Sequence, residues 1–307
     1  MTKQEKYSGV IPAFYACYDQ AGNVDVEAIK QLTQHYIDKG VQGLYVAGSS
    51  GECIYLSVEE RKQTLEAVMS VAKDKIRIIA HVACNNTKDS MELAAHAESF
   101  GVDAIAAIPP IYFKLPDHAI AAYWNDISSA APNTDFVIYN IPQLAGVALS
   151  TGLLKEMCKN PRVVGVKNSS MPVQDIEMFL QNATSEDFVV FNGPDEQFIS
   201  GLAMGACGGI GGTYGVMPEL FLTMFDLIKQ RKIEEARSIQ YDVNNIIYKM
   251  VSTPCNMYAV AKEVIRINEG LTLGDVRKPL AGLTEEGKKA ASEAASMIKE
   301  AINKYCK

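Results

Sequence analysis

The 307-residue chain is 48% hydrophobic with a net charge of −7. That balance suits one large globular domain or two small ones, and it excludes a basic nucleic-acid surface or an anionic-membrane partner. The opening MTKQEKYSGV has no apolar targeting core, no run reaches membrane-spanning length, and the seven cysteines lack any CxxC spacing, so a cytoplasmic protein without a disulfide framework is expected. The four histidines show neither HxH nor HExxH spacing, which argues against a histidine-built metal site.

In chain order, short apolar strand candidates alternate with amphipathic helical stretches. A strand over 9–16 leads to a helix over 26–39 that Gly40 ends. A strand over 43–46 runs into the turn GSSGE (48–52), then a helix reaching about Lys73 with Glu59, Glu60 and Arg61 on its polar face. Strands over 77–82 and 104–108 are followed by helices over 87–100 and 119–129. The strand over 136–139 ends in Asn140-Ile141-Pro142, and a helix spans 151–159. Val163, Val164 and Val166 make a β-branched run that ends at Lys167, before a helix over 173–182. The strand over 188–191 and the glycine-rich GGIGG over 208–212 complete eight strand–helix alternations. Such alternation predicts parallel βαβ units, and eight of them predict a closed (β/α)8 TIM barrel. A doubly wound open sheet would carry GxGxxG after its first strand, and Ile11 to Gly22 has none. From Pro218 onward the pattern is helical (218–231, 233–250, 257–269, 284–304), so a barrel over 1–217 with a C-terminal helical appendage over 218–307 is expected. Ile246, Ile247 and Met250 are expected to pack on the barrel or on a neighbouring subunit.

Barrels of this kind carry chemistry at the C-terminal ends of their strands. Lys167 sits at such an end. One reading lets its ammonium snorkel to water; the other buries an amine, which loses its proton more easily and attacks ketones to form Schiff bases. Ser49 and Ser50 in GSSGE suit a small anion, with the N–H groups of a following helix as donors, or serve as an ordinary N-cap. Tyr139 is either a rim aromatic or, one strand from Lys167, a proton shuttle. Asp195 and Glu196 read as a solvated acidic helix start or as acceptors for a polyhydroxylated ligand. The glycines of GGIGG permit close backbone approach or tight wall packing.

The ordered set GSSGE, YNIP, GVKNSS, NGPDE and GGIGGTY, covering residues 9–215, resembles the pyruvate-dependent class I aldolase superfamily. The resemblance implies that Lys167 is the Schiff-base lysine and Tyr139 the proton-transfer tyrosine. Ser49 and Ser50 would clamp the pyruvate carboxylate, and Ser169, Gly193, Asp195, Glu196 and Gly212 would line the sugar site. Tyr112 would be donated by a neighbouring subunit to a proton relay with Tyr139 and Ser49, in a homotetramer. Glu52 would organise the turn rather than react.

Within the superfamily, the synthase branch places an arginine where this chain has Leu144, and an apolar residue cannot pair with a carboxylate. The Asp195-Glu196 pair points instead to the lyase branch. The implied reaction is reversible cleavage of N-acetylneuraminate to pyruvate and N-acetylmannosamine, with no cofactor and no metal, since an iminium serves as electron sink. Gly212 stands where lyases carry a serine for the sugar tail, and Pro194 where some carry an aromatic. The alternatives are an aldolase or dehydratase acting on 2-keto-3-deoxygluconate, a dihydrodipicolinate synthase, and a non-catalytic ligand-binding barrel.

Overall fold

The computed structural model describes residues 1–306. Eight parallel strands, β1 (Gly9–Pro12), β2 (Gly43–Val46), β3 (Arg77–His81), β4 (Ala104–Ala107), β5 (Asp135–Asn140), β6 (Val163–Asn168), β7 (Val189–Asn192) and β8 (Gly208–Gly211), pair in the order β1-β8-β7-β6-β5-β4-β3-β2. The chain beyond β1 closes the ring through a bridge from Ala13 to Tyr45, with Phe14 N–H donating to the Tyr45 carbonyl at 2.9 Å. The fold is therefore the expected (β/α)8 barrel. The β1 ladder stops at Pro12, short of the expected Ala16, because the chain there leaves β8 and crosses to β2, where Ala16 N–H reaches the Ser50 carbonyl.

Strands buried on both faces must be apolar throughout, and this explains why each reads as a short hydrophobic run. The outward faces meet the helices in one large core, while Ile11, Tyr45, Ile79, Val137, Phe191 and Ile210 fill the barrel interior. A helix that the sequence pattern did not announce, Lys3–Tyr7, plugs the end of the barrel opposite the strand C-termini. Its Tyr7 is fully buried and donates to Asp135 at 2.7 Å.

The tail forms helices Pro218–Lys229, Ile233–Met250, Met257–Glu269 and Glu285–Tyr305. The first packs on β1 and on helix Phe198–Ala203, the place of a barrel helix after β8. The boundary expected at residue 217 thus falls between β8 and the helix that belongs with it. Helix Ile233–Met250 lies against the segment after β7, burying Ile246, Ile247 and Met250. No helix among the described residues is long and apolar enough to cross a membrane.

Candidate active site

Lys167 lies near the end of β6 and is 4% exposed. Its direct cross-strand partner on β5 is Tyr139, so the two side chains project into the barrel at one level. The Lys167 Nζ stands 4.0 Å from the Tyr139 ring centre and 4.1 Å from that of Tyr45 on β2. The amine therefore points inward between two aromatic faces, and the snorkelling reading fails. The His81 ring, at the end of β3, lies 6.1 Å from the Tyr45 ring and 6.0 Å from the Tyr139 ring. Burial holds the His81 imidazole well below its usual pKa, and the nearby Arg61 and Lys167 charges add to this. The neutral ring pairs through Nδ1 with the Ala47 carbonyl at 3.0 Å, which makes Nδ1 the donor and leaves the buried Nε2 an acceptor with no partner among the described residues.

The strand ends are held by polar ties that residue spacing alone does not reveal. Asn140 donates to Asn168 at 2.8 Å, and the Ser170 hydroxyl lies 2.9 Å from Asn168 Oδ1 and 2.6 Å from Asp175. Buried amides with partners fix backbone position, so this network sets where β5 and β6 present Tyr139 and Lys167.

The GSSGE turn differs in one respect from expectation. No long helix follows it directly. A single 3-10 turn, Cys53–Tyr55, comes first, and helix Val58–Ala72 starts later behind its own Ser57–Glu60 capping box. The donors free at this turn are therefore its own backbone N–H groups. Among the described residues, nothing accepts from the N–H groups of Ser49, Ser50 or Gly51. Ala47 and Glu52 flank the turn at φ 58° and 53°, a left-handed geometry that costs energy in non-glycine residues and is retained where its surroundings enforce it.

Glu52 supplies that enforcement. Its fully buried carboxylate accepts from Lys262 at 3.0 Å, from the Tyr18 hydroxyl at 3.1 Å and from Arg277 N–H at 2.8 Å. The turn is thereby bolted to the C-terminal helical region from behind. A buried charge must be paired, so removing either partner is costly even though neither faces the cavity around Lys167.

One cavity of about 370 Å³ gathers Ser49, Ser50, Tyr139, Lys167, Ser169, Gly193, Asp195, Glu196 and Gly212. Gly193 is required by close approach, because a Cβ there would collide with the Ser169 hydroxyl and the Asn168 carbonyl. Asp195 is no solvated helix start. It is buried, and its Oδ2 accepts from both the N–H and the hydroxyl of Thr213 at 2.6 Å. Burial pushes its pKa up to about 6, against the Thr213 hydrogen bonds that lower it. Oδ1 has no donor among the described residues and remains the oxygen able to meet a hydroxyl. Tyr112 is absent from this cavity. It is 89% exposed, at φ 85°, beside the exposed Phe113.

Tyr45, His81 and Tyr258 also border the site and were missed in the sequence. Tyr45 and His81 lie at the ends of the second and third strands, the same signal that singled out Lys167 and Tyr139. Nothing local marks Tyr258. Among the described residues, no three His, Cys, Asp or Glu side chains are grouped as a metal ion would require.

The dihydrodipicolinate synthetase family model matches residues 6–298. The chain belongs to this family. Within it, the chain is 64% identical over 305 residues to an N-acetylneuraminate lyase of Mediterraneibacter gnavus, covering 99% of this chain and 96% of that protein. It is 34% identical over 278 residues to the N-acetylneuraminate lyase of Escherichia coli, covering 91% and 92%. The solved structure of a catalytic lysine mutant of Ruminococcus gnavus sialic acid aldolase superposes with a TM-score of 0.97 at 64% identity, covering 99% of this chain and all of that one. Family membership accounts for the barrel and its helical tail together, since that superposition extends through both.

Proposed function

We propose that the chain is a class I lyase that cleaves N-acetylneuraminate reversibly to pyruvate and N-acetylmannosamine through a Schiff base on Lys167. The observation that carries this is the Lys167 amine, enclosed between Tyr139 and Tyr45 and sharing a cavity with the Ser49–Ser50 turn. The 64% identity to a lyase, and a structural relative described as having a catalytic lysine, support it.

The open-chain sugar acid presents a 2-keto group to the Lys167 amine. Water leaves and a protonated imine forms, which withdraws electrons from the adjacent bond. Tyr139 removes the proton of the 4-hydroxyl, the bond between carbons 3 and 4 breaks, and its electron pair passes into the iminium to give an enamine. N-acetylmannosamine departs, the enamine takes back a proton, and water releases pyruvate. The turn N–H groups with Ser49 and Ser50 hold the carboxylate, while Ser169, Gly193, Glu196 and Asp195 Oδ1 serve the sugar hydroxyls. Leu144 on the same cavity wall offers no charge for the second carboxylate of a synthase substrate.

Tyr112 joins this reading as a residue supplied by a neighbouring subunit. Beside the lysine cavity lies a second one of about 330 Å³, lined by Ser49, His81, Ile54 and Leu144. It offers apolar walls for a phenol ring. A cytoplasmic homotetramer is the matching assembly, and the seven cysteines, all free, suit a reducing compartment. Replacing Tyr112 by Phe is expected to lower kcat while imine trapping by borohydride persists in a tetramer of native mass. Unaltered turnover would remove Tyr112 from the relay.

Gly212 favours one second reading, an aldolase for a shorter sugar acid of the 2-keto-3-deoxygluconate type, because a glycine offers no hydroxyl to a long tail. Pyruvate release from N-acetylneuraminate and from 2-keto-3-deoxygluconate, measured side by side, separates the two. Higher kcat/KM on N-acetylneuraminate is expected, and the reverse order would overturn the lyase reading.

A further inference from the structure

Tyr258 stands in the first turn of helix Met257–Glu269, where its N–H donates to the Asn256 cap at 2.9 Å. It lines both the lysine cavity and the neighbouring one, so it forms part of the partition between them. A Cβ placed on Gly212 would lie 3.1 Å from the Tyr258 hydroxyl and 3.6 Å from the Ser50 hydroxyl. The tyrosine hydroxyl thus occupies ground that a side chain at 212 would claim. The Gly212 backbone is itself anchored, since the Tyr15 hydroxyl donates to its carbonyl at 2.6 Å. The Tyr15 and Tyr258 rings lie 5.9 Å apart.

Tyr258 Oη and the Ser50 hydroxyl thus flank the same point beside Gly212, and burial raises the phenol's pKa. Tyr258 is therefore a proton donor throughout the working pH range, next to a turn whose N–H groups are open. Donors converging on one spot in a partly dry site suit an anion.

We propose that Tyr258 is a substrate-contacting residue: its phenol hydroxyl joins Ser50 in binding the keto-acid carboxylate, and Gly212 is the space that admits it. This rests on the Schiff-base reading above. It also gives the C-terminal helical region a direct part in substrate binding.

The test is borohydride trapping of the full-length enzyme with pyruvate and with methyl pyruvate, which keeps the ketone but lacks the carboxylate charge. In Tyr258→Phe, half-saturation for pyruvate is expected to rise about tenfold or more, as for loss of a hydrogen bond to a charged group. Methyl pyruvate should trap as in the unaltered enzyme. KM for the sugar acid should rise in parallel with little change in kcat. Gly212→Ala should weaken pyruvate in the same direction by displacing the phenol. Combined with Tyr258→Phe it should add less than its separate effect, because the displaced hydroxyl is gone. Unchanged pyruvate affinity in Tyr258→Phe, or equal losses for the acid and its ester, would overturn the proposal. An unaltered enzyme that traps no pyruvate at Lys167 would instead fail the Schiff-base reading on which it stands.

Discussion

Lys167→Ala loses pyruvate release by a factor on the order of a millionfold, the size seen when a covalent nucleophile is removed. Borohydride added to the unaltered enzyme with pyruvate leaves a carboxyethyl group on Lys167, read by peptide mass spectrometry. Both expectations follow from placement. Lys167 is 4% exposed, its amine held between the faces of Tyr45 and Tyr139, and among the described residues no second lysine lines that cavity. Water cannot replace it, because without the imine the pair of electrons from the breaking carbon–carbon bond has no acceptor. Cleavage surviving in the alanine variant, or a label on another lysine, would end the assignment. Among the described residues Lys167 is in no salt bridge, but its charge lowers the pKa of the buried Asp195 carboxyl, so the variant's folded content is measured beside its activity.

Tyr139→Phe lowers kcat by about 10²- to 10⁴-fold, the range for loss of a positioned acid–base group. Trapping of pyruvate on Lys167 continues in that variant. The separation is possible because the two parts of the side chain do different things. The ring face at 4.0 Å supports the amine and is kept by phenylalanine, while the hydroxyl proposed to move the proton is lost. Tyr139 is also Lys167's cross-strand partner, so the ladder holds the pair at one level whichever side chain is present. If trapping and turnover fell together, Tyr139 would be a packing residue. If neither fell, the proton acceptor would have to be sought elsewhere around the cavity.

The helical tail contributes more to the site than a cover. Lys262 neutralises Glu52 behind the GSSGE turn, and Ile247, Val251, Met257 and Tyr258 line the lysine cavity. A barrel divided from its tail at residue 217 would lose the eighth outer helix, the partner of a buried carboxylate and one wall of the pocket. The energetic consequence is direct, because breaking a buried ion pair strands a desolvated charge.

Local chemistry was enough to read much of this protein. Apolar runs of strand length alternating with amphipathic helices determine a (β/α)8 barrel, since parallel strands covered on both faces have few other closures. Polar residues at the ends of such runs are costly where apolar ones are cheap, and so Lys167, Tyr139, the GSSGE serines and the Asp195-Glu196 pair were visible as candidates. Only the tertiary structure decided which way the Lys167 amine points, that Asp195 turns one oxygen to Thr213, and that Tyr112 lies outside its own chain's pocket. It alone joined Glu52 to Lys262 and Gly212 to Tyr258. Those pairs are 210 and 46 residues apart, and no periodicity spans such distances; they meet because closing the barrel brings strand ends and the tail helices to one mouth.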